Sequence, residues 1–345
     1  MSLYPLKFLP IYLPKVWGGR RLEALGRELP GPAGEAIGES WEITDLGETS
    51  ADGAGGQAAQ SVVAEGPLAG RTLHDLIERY GPALIGDVRI AETGRFPLLV
   101  KYLDARENLS VQVHPSAAYA ARHPQAHLKA EAWYIVEAEE GAVIYKGVRD
   151  GVGRSELARA VEVGTVERLL LPVAAQAGDC FYLPSGTCHA VGAGLLVAEI
   201  QTPSDTTFRL YDWGRTGRSL HIEEAMECIE WSTSEVAAED SQAAISGALT
   251  QAEKLVRCEH FQIDRLQFTA GRDRPVAHDG GPRVWMVLDG QGRLKSAGGT
   301  FDPVAFGRGE TILLPAAVTD AQVVPGSKTT ILDISLPRPQ AGGLA

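Results

Sequence analysis

Four side chains in this sequence could together hold a metal ion: Gln112, His114, Glu131 and His189. In the run Val111-Gln112-Val113-His114, strand alternation places Gln112 and His114 on one face. Glu131 opens the apolar run Ala132 to Val136, and His189 follows the turn residues Pro184-Ser185-Gly186. Two imidazoles, a carboxylate and an amide oxygen suit a borderline divalent ion such as zinc, with room for water or substrate oxygens. A histidine taken singly is more often a surface or hydrogen-bonded residue than a ligand, so the set carries the reading and no single member does. Gln112 is its weakest member, because an amide is a poor zinc ligand and could instead orient a neighbour.

The elements that must position these residues are short strands. Gly178-Asp179 makes a turn, Cys180 to Leu183 an apolar strand, and Pro184-Ser185-Gly186 a second turn that carries His189 into the next strand. Gly178, Pro184, Gly186 and His189 at these intervals resemble the second signature of the cupins, small β-barrels that hold a metal with barrel-facing side chains. Further strands are expected over Leu6 to Tyr12, Glu39 to Thr44, Pro97 to Leu103, Ser110 to His114, Ala132 to Val136, Ala142 to Tyr145 and Leu195 to Gln201. Thr72 can cap a helix with Leu73, Leu76, Ile77 and Tyr80 on its apolar face, ending before Gly81-Pro82. A second helix is expected over His221 to Trp231, and a flexible loop over Ala51 to Gln60.

An internal repeat organises the chain. Gly309 and Pro315 reproduce the spacing of Gly178 and Pro184, and Val284-Trp285-Met286-Val287-Leu288 resembles Ala132-Trp133-Tyr134-Ile135-Val136. In that alignment Arg283 stands where Glu131 does and Asp320 where His189 does, so the second copy keeps the frame and loses the ligands. The expected fold is mainly β, with two cupin-like jelly-roll barrels and a small helical insertion. The metal-binding catalytic domain spans 1–231 with the insertion near 72–90, a linker 232–252, and a degenerate metal-free cupin domain 253–345.

Composition narrows the function classes. The 345 residues suffice for two cores, and 44% hydrophobic with 22% charged residues is ordinary for a soluble globular protein. A net charge of −12 argues against nucleic-acid or anionic-membrane partners, while leaving room for a local basic pocket. Cys180, Cys188, Cys228 and Cys258 form no CxxC pattern and are read as reduced thiols. The first residues lack signal-peptide features and no apolar run approaches membrane-spanning length, so a cytoplasmic protein is expected.

The closest resemblance runs along the whole chain. Gly38-Glu39-Ser40-Trp41-Glu42, Pro97 to Lys101, Leu109 to Pro115, Lys129 to Tyr134, Pro184 to Ala190 and Glu199 to Asp212 look, in order, like the type I mannose-6-phosphate isomerases, their short bacterial branch above all. The resemblance implies one zinc ion per chain on Gln112, His114, Glu131 and His189, with Arg209 as the active-site arginine. It also implies interconversion of mannose 6-phosphate and fructose 6-phosphate, by moving a proton between C1 and C2 through a cis-enediol. Lys129 shares the face of Glu131 two residues on, and Lys101, in an apolar strand, is costly unless it points into a wet pocket, so both are expected to bind substrate. The base stays open among a metal-bound hydroxide, a carboxylate such as Glu42, and a lysine. His127 stands one residue earlier than the family's histidine, with Leu128 in that place, so no proton-shuttling role is carried over to it. A phosphosugar is the expected partner, and a second barrel without ligands is compatible with a self-sufficient monomer. Two alternatives differ in class: a non-catalytic sugar-phosphate-binding cupin, and an Fe(II) cupin oxygenase.

Overall fold

A computed structural model of the chain describes residues 2–50, 54–88, 94–123, 125–231, 242–246 and 250–337. Strands dominate it, because short β-branched and aromatic runs alternate with glycine and proline turns. The first part holds a six-stranded antiparallel sheet in the order Cys180–Leu183, Glu131–Ala138, Leu195–Gln201, Leu99–Ala105, Ile37–Ile43 and Ile11–Gly19. A five-stranded sheet runs Leu170–Ala174, Val143–Val148, His189–Val191, Val111–Val113 and Phe208–Tyr211. Apolar side chains from both, including Trp133, Ile135, Ile144, Val191 and Val197, fill the space between them.

The second part repeats this plan with four strands facing a longer sheet. The strand Leu6–Leu9 joins that longer sheet by pairing with Thr311–Leu314, so the beginning of the chain completes the sheet otherwise built by its end. Of the expected linker 232–252, residues 232–241 and 247–249 lie outside the described residues, while Gln242–Ser246 is a strand paired with Thr250–Arg257.

The register makes the internal repeat a structural one. Trp133 faces Glu199 across its ladder and Trp285 faces Asp333 across the equivalent one. Each indole donates to its carboxylate partner, at 2.9 Å and 3.1 Å. Leu183 pairs with Glu131 just before Pro184, and Leu314 pairs with Arg283 just before Pro315. Where Glu131 sits in the first copy, Arg283 donates instead to Asp333 and Asp279. Asp320 takes up Ser296 and the N–H of Gly298, which makes it a loop fastener.

Local signals explain the helices. Thr72 accepts from the Asp75 N–H at 3.0 Å while the Asp75 carboxylate accepts from the Thr72 N–H at 3.1 Å, a reciprocal cap on Leu73–Tyr80. Pro82–Ile85 follows it, and residues 89–90 of the expected insertion lie outside the described residues. The second expected helix is shorter, Ile222–Cys228. In the expected loop 51–60, Ala59–Gln60 pairs with Asp45–Leu46, and residues 51–53 lie outside the described residues. Among the described residues, no helix is long and apolar enough to cross a membrane.

Asp45 fastens the helical insertion to the sheets. Its fully buried carboxylate accepts the Phe96 N–H and Arg95 at 3.0 Å each, and lies 3.2 Å from His74 Nδ1. Asp45→Ala leaves these donors without their acceptor, and the expected loss is about 3–5 kcal/mol of unfolding free energy. Urea titration measures it, and a loss below about 1 kcal/mol, the net worth of one ordinary hydrogen bond, contradicts the assignment.

Candidate active site

The four expected ligands come from both sheets of the first part. Gln112 sits in Val111–Val113 and faces His189 in register across the five-stranded sheet, with His114 two residues on. Glu131 opens its strand in the six-stranded sheet. The turn before His189 is bound to this frame, since the Gly186 N–H donates to the His114 carbonyl at 3.2 Å. Gly186 has φ +85°, and a Cβ there would stand 2.9 Å from the Cys228 carbonyl oxygen, so both conformation and space require glycine.

Backbone carbonyls set which ring nitrogen faces inward. His114 Nδ1 lies 3.2 Å from the Thr206 carbonyl, and His189 Nδ1 lies 2.8 Å from that of Thr187. With Nδ1 donating outward, each Nε2 presents its lone pair to the centre. There His114 Nε2 is 3.2 Å from Glu131 Oε2, and His189 Nε2 is 3.1 Å from Glu131 Oε1. The Gln112 amide stands 3.3 Å from His189 Nε2, and half a turn of that amide presents its oxygen instead. All of these side chains except Gln112 are buried.

Acceptors thus face acceptors. Burial, reinforced by the Lys129 ammonium, pushes His114 down to about 3, so its imidazole is neutral. Burial opposes ionisation of Glu131, but the Lys129 ammonium, 3.0 Å away, holds it well below the usual carboxylate range. His114 Nε2 and Glu131 Oε1 have no hydrogen-bond donor, and Glu131 Oε2 meets only the Lys129 ammonium. A divalent cation would resolve this arrangement. Ligand atoms arranged tetrahedrally at about 2.0–2.1 Å from zinc lie about 3.3 Å from one another, close to the separations here. Among the described residues, His114, Glu131 and His189 form the one group of three His, Cys, Asp or Glu side chains able to hold an ion.

A cavity of about 380 Å³ opens beside this cluster, with Gln112, Lys129, Lys101 and Arg209 in its wall. Arg209 lies opposite Gln112 in the ladder between Phe208–Tyr211 and Val111–Val113. Its Nη1 donates to the Ser219 carbonyl at 2.6 Å, and the residue is 4% exposed. Lys101 reaches the cavity from the opposite sheet, paired with Glu199 at 2.9 Å and near Glu39 at 3.7 Å. Burial alone would lower it, but these two carboxylates hold it above the ordinary lysine range. Burial likewise works against ionisation of Glu39, yet Lys101 and Lys15 keep it at about 2.

Some cavity residues escaped the sequence reading, and one candidate base is excluded. Glu42 takes both terminal nitrogens of Arg27 and the Ser40 hydroxyl. The alternation that turns Glu39 and Trp41 into the cavity turns Ser40 and Glu42 away from it. Glu199, Asp205, Lys15 and Arg218 line the cavity without having been singled out. Lys101 in an apolar strand was the one available pointer to Glu199, since a buried ammonium needs a buried carboxylate. His127 is exposed and gives only its carbonyl to Ser204. The four cysteines are free, and burial pushes Cys188 up to about 12.

Comparison with known proteins places this geometry in context. Residues 6–145 match the family model for the phosphomannose isomerase type I catalytic domain. The chain is 34% identical over 325 residues to mannose-6-phosphate isomerase ManA of Bacillus subtilis, covering 91% of this chain and 94% of that one. It is also 34% identical over 315 residues to mannose-6-phosphate isomerase of Streptococcus mutans, covering 89% and 91%. The crystal structure of the mannose 6-phosphate isomerase from Bacillus subtilis superposes with a TM-score of 0.82 at 30% identity, covering 96% of this chain and 99% of that one.

Proposed function

Because the chain belongs to the type I phosphomannose isomerases, we propose that its own site residues interconvert mannose 6-phosphate and fructose 6-phosphate around one zinc ion. One observation carries the reading: two carbonyl-anchored imidazoles and a carboxylate paired with Lys129 converge at the edge of a cationic cavity. Gln112, His114, Glu131 and His189 would hold the ion. When bound, it would supply a Lewis acid that steadies negative charge developing on the sugar oxygens. The proposed division of the chain at 232–252 keeps all of these residues in the first part, 1–231.

The chain's own groups account for the rest. Arg209, beside Gln112, presents a planar fork of donors to an oxygen of the open-chain sugar as the C–H proton leaves. Lys129 and Lys101 offer ammonium donors from the opposite wall, to substrate hydroxyls or phosphate. Glu199 is the cavity carboxylate best suited to proton transfer between C1 and C2. Burial raises its pKa against the pull of Lys101, which moves it toward the working pH of a general base. Trp133 fixes its orientation by donating to Oε2. The relatives favour neither an Fe(II) oxygenase nor a non-catalytic sugar-phosphate binder.

A coupled assay that reports fructose 6-phosphate from mannose 6-phosphate, run before and after chelation, tests the reading. Activity should vanish with chelator and return with zinc. Full activity in thoroughly chelated protein would overturn the metal-dependent reading.

A further inference from the structure

The two faces of the six-stranded sheet have different duties. Across its cavity face, Trp41, Lys101, Glu199 and Trp133 stand in register as one transverse row. One residue over, on the opposite face, Ser40, Tyr102, Ala198 and Tyr134 form a second row directly behind it. Tyr102, Ala198 and Tyr134 are buried in a core shared with Phe261 and Ile263 of the second part. Apolar burial of this kind is non-directional, so it joins the two parts without fixing where one sits along the other.

Two arginines supply the direction, one at each end of the rear row. Arg27 Nη1 donates to Ser40 Oγ at 2.8 Å, and its guanidinium lies 5.0 Å from the centre of the Tyr102 ring. The same fork grips the Glu42 carboxylate at 2.6 and 2.8 Å, and Nη2 also donates to the Gly309 carbonyl of the second part. At the other end Arg265, from the second part, donates Nη1 to the Tyr134 hydroxyl at 3.3 Å and to the Gly178 carbonyl at 3.2 Å. Its Nη2 is held by Glu253.

These grips are reciprocal. Gly178 and Gly309 are equivalent turns of the internal repeat, and each accepts an arginine from the other part. The Gly178 N–H donates to the Ile135 carbonyl at 2.8 Å and the Ile135 N–H to that of Asp179 at 2.9 Å, and Gly309, Val287 and Glu310 repeat both bonds at the same lengths. The approach at Gly309 is close: its φ is +84°, and a Cβ would stand 2.5 Å from the Leu25 carbonyl oxygen. Glu42 needs its grip in particular, because the ladder shifts between Trp41 and Ile43 and leaves it as the extra residue of a bulge.

We propose that Arg27 and Arg265 are positioning residues for the isomerisation: they tie the row Ser40, Tyr102, Ala198 and Tyr134 to the second part, and so set where Lys101 and Glu199 stand in the cavity. The second part thereby serves as the mount of the active-site sheet. This rests on the isomerase reading above.

The test uses full-length, zinc-loaded protein carrying Arg27→Lys, Arg265→Lys or both. Lysine keeps a charge beside Glu42 or Glu253 but lacks the planar fork that reaches the glycine carbonyl as well. Turnover of mannose 6-phosphate per bound zinc should fall about 10-fold in each single variant and about 100-fold in the double, the cost of misplacing reacting groups by about 1 Å. Zinc content should stay at the unaltered level, since Gln112 and His189 lie in the five-stranded sheet. Backbone amides of Leu99–Ala105 and Leu195–Gln201 should exchange with deuterium about 10-fold faster. Arg265, whose side chain is 24% exposed, keeps the test open if Arg27→Lys fails to fold. Turnover per zinc within about twofold of the unaltered protein overturns the proposal, as does unchanged exchange in both strands. Zinc lost in step with activity marks a merely structural contact and overturns it too. Absence of isomerase activity in the unaltered protein would instead count against the earlier reading, and hydrogen exchange would still decide whether the arginines hold the sheet.

Discussion

His189→Ala is expected to abolish both metal binding and isomerisation. His189 Nε2 stands within 3.1 Å of Glu131 Oε1, while its Nδ1 is committed to the Thr187 carbonyl. Alanine therefore removes a pre-aimed ligand and leaves a buried space that no neighbouring side chain is built to fill. Loss of partners that merely orient ligands costs about 10- to 100-fold in metal affinity, so loss of a ligand should cost at least about 100-fold. His114→Ala should behave alike, because its Nδ1 contact with Thr206 fixes it in the same way. Elemental analysis of dialysed protein and the coupled assay give the two readouts. Stoichiometric metal in both variants would show that the ion is held elsewhere.

Arg209→Ala is expected to separate chemistry from metal binding. Arg209 is not among the four proposed ligands, and its guanidinium is held by the Ser219 carbonyl at the cavity wall. Removing one preorganised donor from a site of developing negative charge lowers kcat by about 10²- to 10³-fold, while metal content should stay at the unaltered level. Arg209→Lys should recover little, since a point charge cannot reproduce two parallel donors. Normal turnover by Arg209→Ala would remove Arg209 from the reaction.

The contrast between these residues shows what a sequence can reveal. The candidate cluster was legible because alternation and turn residues are local, so Gln112 with His114 and the Gly178-to-His189 spacing each fit in a dozen residues. The second copy was legible for the same reason, and the paired ladders of Trp133 with Glu199 and Trp285 with Asp333 give it a structural counterpart. Partners across the fold were not. The carbonyls of Thr187 and Thr206 that aim the imidazoles are backbone atoms, which leave no residue-type signal. The Lys101–Glu199 pair joins positions far apart in sequence, and only the cost of burying Lys101 hinted that an acid must exist. Glu42 lies in the motif Gly38-Glu39-Ser40-Trp41-Glu42, but the parity of its strand turns it to Arg27 and away from the cavity.

Short helices were lost for a different reason. Ala117–Arg122 buries only Tyr119, and Arg154–Val163 buries only Leu157 and Ala160. Neither stripe is wide enough to stand out from a solvated loop. Their ends are nevertheless specified locally, by the Ser116 hydroxyl accepting the Tyr119 N–H and by left-handed Gly164.

Everything turns on whether a divalent ion sits where the lone pairs of residues 112, 114, 131 and 189 meet. Anomalous diffraction from zinc-loaded crystals, with data on either side of the zinc edge, locates that ion directly. A single peak bounded by His114 Nε2, His189 Nε2 and the Glu131 carboxylate is the predicted result. A peak elsewhere, or none in protein that is catalytically active, would contradict it.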